Sequence, residues 1–139
     1  SAAAAQEVTA PEVDPAEAAA LEARAARRAA LSAQRQALAA CERRFNEAAR
    51  ATKVVFDTVV SQPAQARQGA QALTRELVDK MIGSEELCIR LLSEAAGDKA
   101  SAHAINVSII SLLMGRTFGL AETEMLDLGL GALLHDIGK

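Results

Sequence analysis

The chain has only two histidines among its 139 residues, and both stand where they could do chemistry. His135 is followed at once by Asp136, in the run Gly131-Ala-Leu-Leu-His-Asp-Ile-Gly-Lys139, with Leu126, Leu130, Leu133, Leu134 and Ile137 around the pair. An ionised carboxylate beside an imidazole at the end of an apolar helix is poor packing material. A buried Asp is costly unless a cation or hydrogen bonds compensate it, and a divalent metal would offset that cost for both groups. Neutral imidazole nitrogen and carboxylate oxygen together suit Fe, Mn, Zn or Co. A carboxylate can also bridge two metals, an arrangement that generates a nucleophile near neutral pH and stabilises in-line phosphoryl displacement. Lys139, three residues beyond Asp136 across a glycine, can meet a phosphate oxygen as a point charge.

His103 is the third candidate ligand. It opens a predicted helix and is followed at helical spacing by Val107, Ile110 and Met114. Taken alone, it reads equally well as an ordinary helix-start histidine, and a His-Asp dipeptide alone as a helix C-terminal cap. The string His-Asp-Ile-Gly-Lys carries more, because its chance appearance in a chain of this length is about 10⁻⁴ or less on uniform residue frequencies.

The elements that must position these residues are helices throughout. Residues 1–14 mix small residues with Pro11 and read as a disordered linker. Asp14-Pro15 is a helix start, Asp as N-cap and Pro at the first helical position. Nothing breaks the helix from there to about Val60, which makes residues 15–62 a long amphipathic segment. Its seam repeats at seven residues (Leu31, Leu38, Phe45, Thr52, Val59), with Gln34, Cys41, Ala48 and Val55 interleaved. Two readings stay open: a helix docked on its own domain, or a coiled coil that makes a homodimer. Ser61-Gln62-Pro63 ends it. Further helices are predicted over about 64–82, 85–96 (capped by Ser84), 101–118 and 122–134, with Gly97-Asp98-Lys99 as a turn. No strand pattern appears, so the class is all-α.

Composition excludes several functions. Half the residues are hydrophobic, but 32 of those are Ala. Of the 36 Val, Ile, Leu, Met and Phe only five fall in residues 1–40, so a compact core belongs to the last hundred residues. No uninterrupted apolar run of about 18 residues exists, which argues against a membrane span, and no secretory signal is recognisable. Cys41 and Cys88 fit reduced thiols of a cytoplasmic protein. The net charge of −3 and the lack of Trp and Tyr argue against a nucleic-acid platform. The cluster Arg24, Arg27, Arg28 and Arg35 reads as a solvated helix face.

One family gathers these features. The stretch His103-Ala-Ile-Asn-Val107, the helix ending in Gly119-Leu120, Glu122 and Glu124, and the run Leu128–Lys139 resemble the opening third of an HD-GYP domain. These domains are a subfamily of the HD metal-dependent phosphohydrolases, and the 32-residue gap between His103 and His135 is similar to theirs. Residues from about 44 to 99 resemble the helices that precede the domain in bacterial members carrying an extra N-terminal domain. The resemblance implies an HD-type helical bundle over residues 63–139. It implies His103, His135 and Asp136 as metal ligands, Asp136 bridging two divalent ions (Fe or Mn), and Lys139 on the substrate phosphate. The activity implied is that of a cyclic di-GMP phosphodiesterase acting through metal-bound hydroxide. Members with three metals take a further carboxylate one turn before the first His; Lys99 stands there, so two metals are expected. The downstream ligands and the Gly-Tyr-Pro segment do not follow Lys139, and the chain reads as an inactive piece of a longer enzyme. Two alternatives remain: an HD phosphohydrolase for cyclic di-AMP or RNA, and a non-catalytic helical signalling module. Ile109, Leu112, Leu130 and Leu133 are expected to be exposed, to pack loosely and to favour self-association.

Overall fold

The computed structural model describes residues 14–82 and 98–139. The fold is all-α: four helices and no strand among the described residues. The linker expected over residues 1–14, apart from Asp14, and the helix expected over 85–96 lie outside them.

Helix α1 (Pro15–Thr58) begins where the cap signal put it, with Asp14 Oδ1 accepting from Ala16 N at 3.1 Å. Its end is a local affair too. The Thr58 hydroxyl turns back to donate to Val54 O, and Gln62 N reaches Thr58 O at 2.7 Å. Pro63, which has no N–H to lose, opens α2 (Pro63–Ile82).

The chain divides into two units, Ser1–Ala37 and Leu38–Lys139. In the first, the described helix is rich in Ala, Arg and Glu and buries nothing; Leu21 and Leu31 are exposed. In the second, the seven-residue seam becomes a buried face, with Phe45, Thr52 and Val55 in the core. Thr52 is admitted there because its hydroxyl donates to Ala48 O at 2.9 Å, leaving no unsatisfied donor.

The remaining helices are α3 (Lys99–Thr117) and α4 (Glu122–Leu134), and α4 packs against both α2 and α3. Helix α3 starts earlier than the predicted turn allows. Asp98 is its N-cap, its Oδ2 taking both the backbone N–H (3.0 Å) and the hydroxyl of Ser101, so Lys99 is already helical. At the other end Gly119 adopts φ +72°, and its N–H and that of Leu120 reach back to Arg116 O and Gly115 O. This is a Schellman motif, and it needs a residue without a Cβ penalty in the left-handed region. Helix α4 then starts at once, the N–H of Ala121 capped by Glu124 Oε2 at 2.8 Å.

Two glycines set how closely these helices approach. A Cβ on Gly115 would lie 2.8 Å from Met125 Sδ and 2.9 Å from Leu128 Cδ2. One on Gly129 would lie 2.8 Å from Thr74 Cγ2 of α2 and 3.2 Å from Leu112 Cδ2 of α3.

The expected exposure on α3 and α4 is corrected here. Ile109, Leu112 and Leu133 are buried, and Leu130 is half-buried, because α2 and α4 close over that side of α3. The apolar residues α3 leaves in solvent are Ile110, Leu113, Met114 and Phe118. Among the described residues no helix is long and apolar enough to cross a membrane.

Candidate metal centre

The αα-hairpin of α3 and α4 brings the two histidines together. His103 sits in the second turn of α3 and is half-buried; His135 is the C-cap of α4. Because the turn at Gly119 reverses the chain, the start of α3 meets the end of α4, and the imidazoles stand edge to face with ring centres 5.3 Å apart. Asp136 follows directly. One ligand atom from each of His103, His135 and Asp136 lies within 4.8 Å of the others.

The hydrogen bonds orient these atoms. His135 Nδ1 lies 2.7 Å from Ala132 O. A carbonyl oxygen only accepts, so Nδ1 carries the proton and donates, which leaves Nε2 as the ligating atom. That Nε2 stands 3.4 Å from Asp136 Oδ2. A lone pair facing a carboxylate oxygen is favourable only when a proton or a cation lies between them. A backbone carbonyl holding the remote ring nitrogen is the usual outer support of a ligating histidine. The donor set of two imidazoles and one carboxylate thus fits a borderline transition-metal ion.

The other carboxylate oxygen, Oδ1, accepts from Lys139 Nζ at 3.0 Å. That hydrogen bond is the main reason the Asp136 carboxyl is held below the usual carboxylate range; partial burial opposes it, and the charges of His135, Lys139 and His103 reinforce it. The four residues singled out in the sequence therefore form one cluster, spread over the end of α4 and the start of α3.

One part of the sequence argument needs correction. The Asp136 side chain is 35% exposed, as is that of His135, so the carboxylate is not a buried charge awaiting compensation. The apolar neighbours Leu133, Leu134 and Ile137 pack inward and leave the polar edge open. What argues for a cation is the convergence of three donors, not desolvation. Asp98, the nearest carboxylate upstream of His103, is occupied as the cap of α3 and adds no ligand.

Two features escaped the sequence. Asn106, one turn beyond His103, is buried, and its Oδ1 has no hydrogen-bond partner among the described residues. A cleft of about 280 Å³ lies between α1, α2 and α3, with Phe45, Leu77, Ile105 and Ile109 among its walls and Cys41, Arg44 and Lys80 also lining it. No linear motif marks the cleft, since its walls come from helices distant in sequence.

No protein-family model, curated protein or solved structure matches the chain.

Proposed function

We propose that this chain contributes the first ligands of a metal-dependent phosphodiesterase site of the HD type, with cyclic di-GMP as its substrate. The observation that carries the reading is that His103, His135 and Asp136, the first two 32 residues apart in sequence, present ligand atoms within 4.8 Å of one another. His103 and His135 would hold the ion through imidazole nitrogens, and Asp136 through a carboxylate able to bridge to a second. The chemistry such ions supply, when bound, is activation of water at neutral pH and neutralisation of charge on a phosphoryl group.

The chain's own residues have defined tasks beside that. Ala132 O keeps the His135 proton on Nδ1, so the ring presents a lone pair. Lys139, with its side chain 81% exposed, can extend toward an anionic oxygen. Asp136 supplies the carboxylate oxygen that would meet a cation beside the two imidazoles. In this reading the chain is a piece of a longer cytoplasmic protein that supplies the remaining ligands and the guanine pocket.

The test is metal content and cyclic di-GMP hydrolysis by the full-length protein, beside its Asp136→Ala variant. Two Fe or Mn per chain, with turnover lost in the variant, is the expected result. Metal without turnover of cyclic di-GMP redirects the reading to cyclic di-AMP or RNA, and absence of metal sinks it.

A second reading has its own observation. Leu31 and Leu38 sit on one seam of α1 and are 53% and 64% exposed, as expected of a helix that pairs with a second copy. Sedimentation of wild type against a Leu31→Glu, Leu38→Glu variant tests it: a dimer that becomes a monomer supports a dimerisation module.

A further inference from the structure

We propose that Lys139 is the built-in counter-charge of the metal centre and competes with a divalent cation for Asp136. The inference rests on the metal-site reading above and concerns how that site is loaded.

The two oxygens of Asp136 have different neighbours. Oδ2 faces His135 Nε2 at 3.4 Å, on the side where the two imidazoles converge. Oδ1 is held by Lys139 Nζ at 3.0 Å. A cation gathered by His103, His135 and Asp136 therefore arrives at a carboxylate already shared with an ammonium. Two like charges on one carboxylate repel at a separation of a few ångströms, and a second ion bridging through Oδ1 would need the ammonium's own place.

Lys139 is suited to leaving. Its side chain is 81% exposed, and an exposed pair of this kind is weak. The turn that places it is held by the backbone, where Lys139 N donates to Asp136 O at 3.0 Å, so the side chain can swing away while the main chain stays. Before loading, the ammonium rests on Asp136 Oδ1. On loading it is displaced, and the released ammonium is free for an anion beside the metal. Cation entry and anion capture are then linked through a single side chain, and the coupling is reciprocal.

The test is Mn²⁺ binding, read from the free-ion electron paramagnetic resonance signal at fixed ionic strength, for wild type, Lys139→Met, Lys139→Arg and His135→Ala. Removing the competing charge should tighten Mn²⁺ about fivefold in Lys139→Met, the scale of one surface ion pair. Lys139→Arg, which keeps the charge, should bind no tighter than wild type, and His135→Ala should bind much more weakly. Equal or weaker binding in Lys139→Met, with His135→Ala still impaired, overturns the competition but leaves the metal site standing. Binding that is absent in wild type and in Lys139→Met, or unaffected in His135→Ala, overturns the metal site itself.

Discussion

The hairpin of α3 and α4 is closed by two unlike ends. At the turn, Gly115, Leu120, Met125 and Leu128 meet so closely that no added methyl would fit without displacing a neighbour. At the open end His103, His135 and Asp136 meet through nitrogen and oxygen atoms, partly in solvent. The first end is stabilised by excluded water and close contact; the second is a convergence of donors that gains little in the absence of a ligand. Buried apolar atoms carry the stability and the converging nitrogen and oxygen atoms the chemistry, and substitutions should sort by which of the two they remove.

The largest effect is expected in the packed layer. Leu133→Ala removes a fully buried side chain and should cost about 2–5 kcal/mol in denaturant unfolding. A loss under about 1 kcal/mol would mean that α4 is loosely seated. Gly129→Val comes next, because the added atoms meet Thr74 and Leu112; overpacking of this kind costs about 1–3 kcal/mol.

Asp98→Ala should cost about 1 kcal/mol through the lost cap of α3. The pH dependence has a definite sign. Its hydrogen bonds with Ser101 hold the Asp98 carboxyl below the ordinary value of 3.8. The stabilisation is therefore complete above that value and is lost as the pH falls below it, toward the lower folded-state value. Acid unfolding of wild type and Asp98→Ala should converge there; a constant difference down to the lowest pH would contradict the assignment.

The smallest change in stability is expected among the donor side chains. His135→Ala should shift unfolding by less than about 0.5 kcal/mol while weakening Mn²⁺ binding more than about tenfold. A large destabilisation would erase the contrast between packed and donor side chains and make His135 a packing residue.

What was legible in the sequence follows the range of the interaction. Asp14-Pro15, Pro63 and Gly119 mark helix ends because capping is settled within a few residues. The buried face of α3 was not legible. Val107, Ile110, Leu113 and Met114 offer as apolar a face as Ile105, Ile109 and Leu112, so periodicity could not choose between them. Only the arrival of α2 and α4 decides it. The seam of α1 shows the same limit, since one repeat is exposed at Leu31 and buried at Phe45. The candidate ligands could be named from residue type and spacing. The open setting of Asp136, and the hold of Lys139 on it, depend on how the turn that follows α4 lies against its neighbours.

The Schellman turn at Gly119 has a mechanical consequence for the histidines. His103 lies 16 residues before it, about 24 Å along the helix at ~1.5 Å per residue. Over such a lever arm, a tilt of about 5° at the turn carries the imidazole roughly 2 Å, about ten times the tolerance of a metal–ligand bond. The contacts around Gly115, far from any donor atom, therefore act as the bearing that sets the aperture of the ligand cluster. Widening the hairpin there would open the cluster while leaving every ligand in the chain.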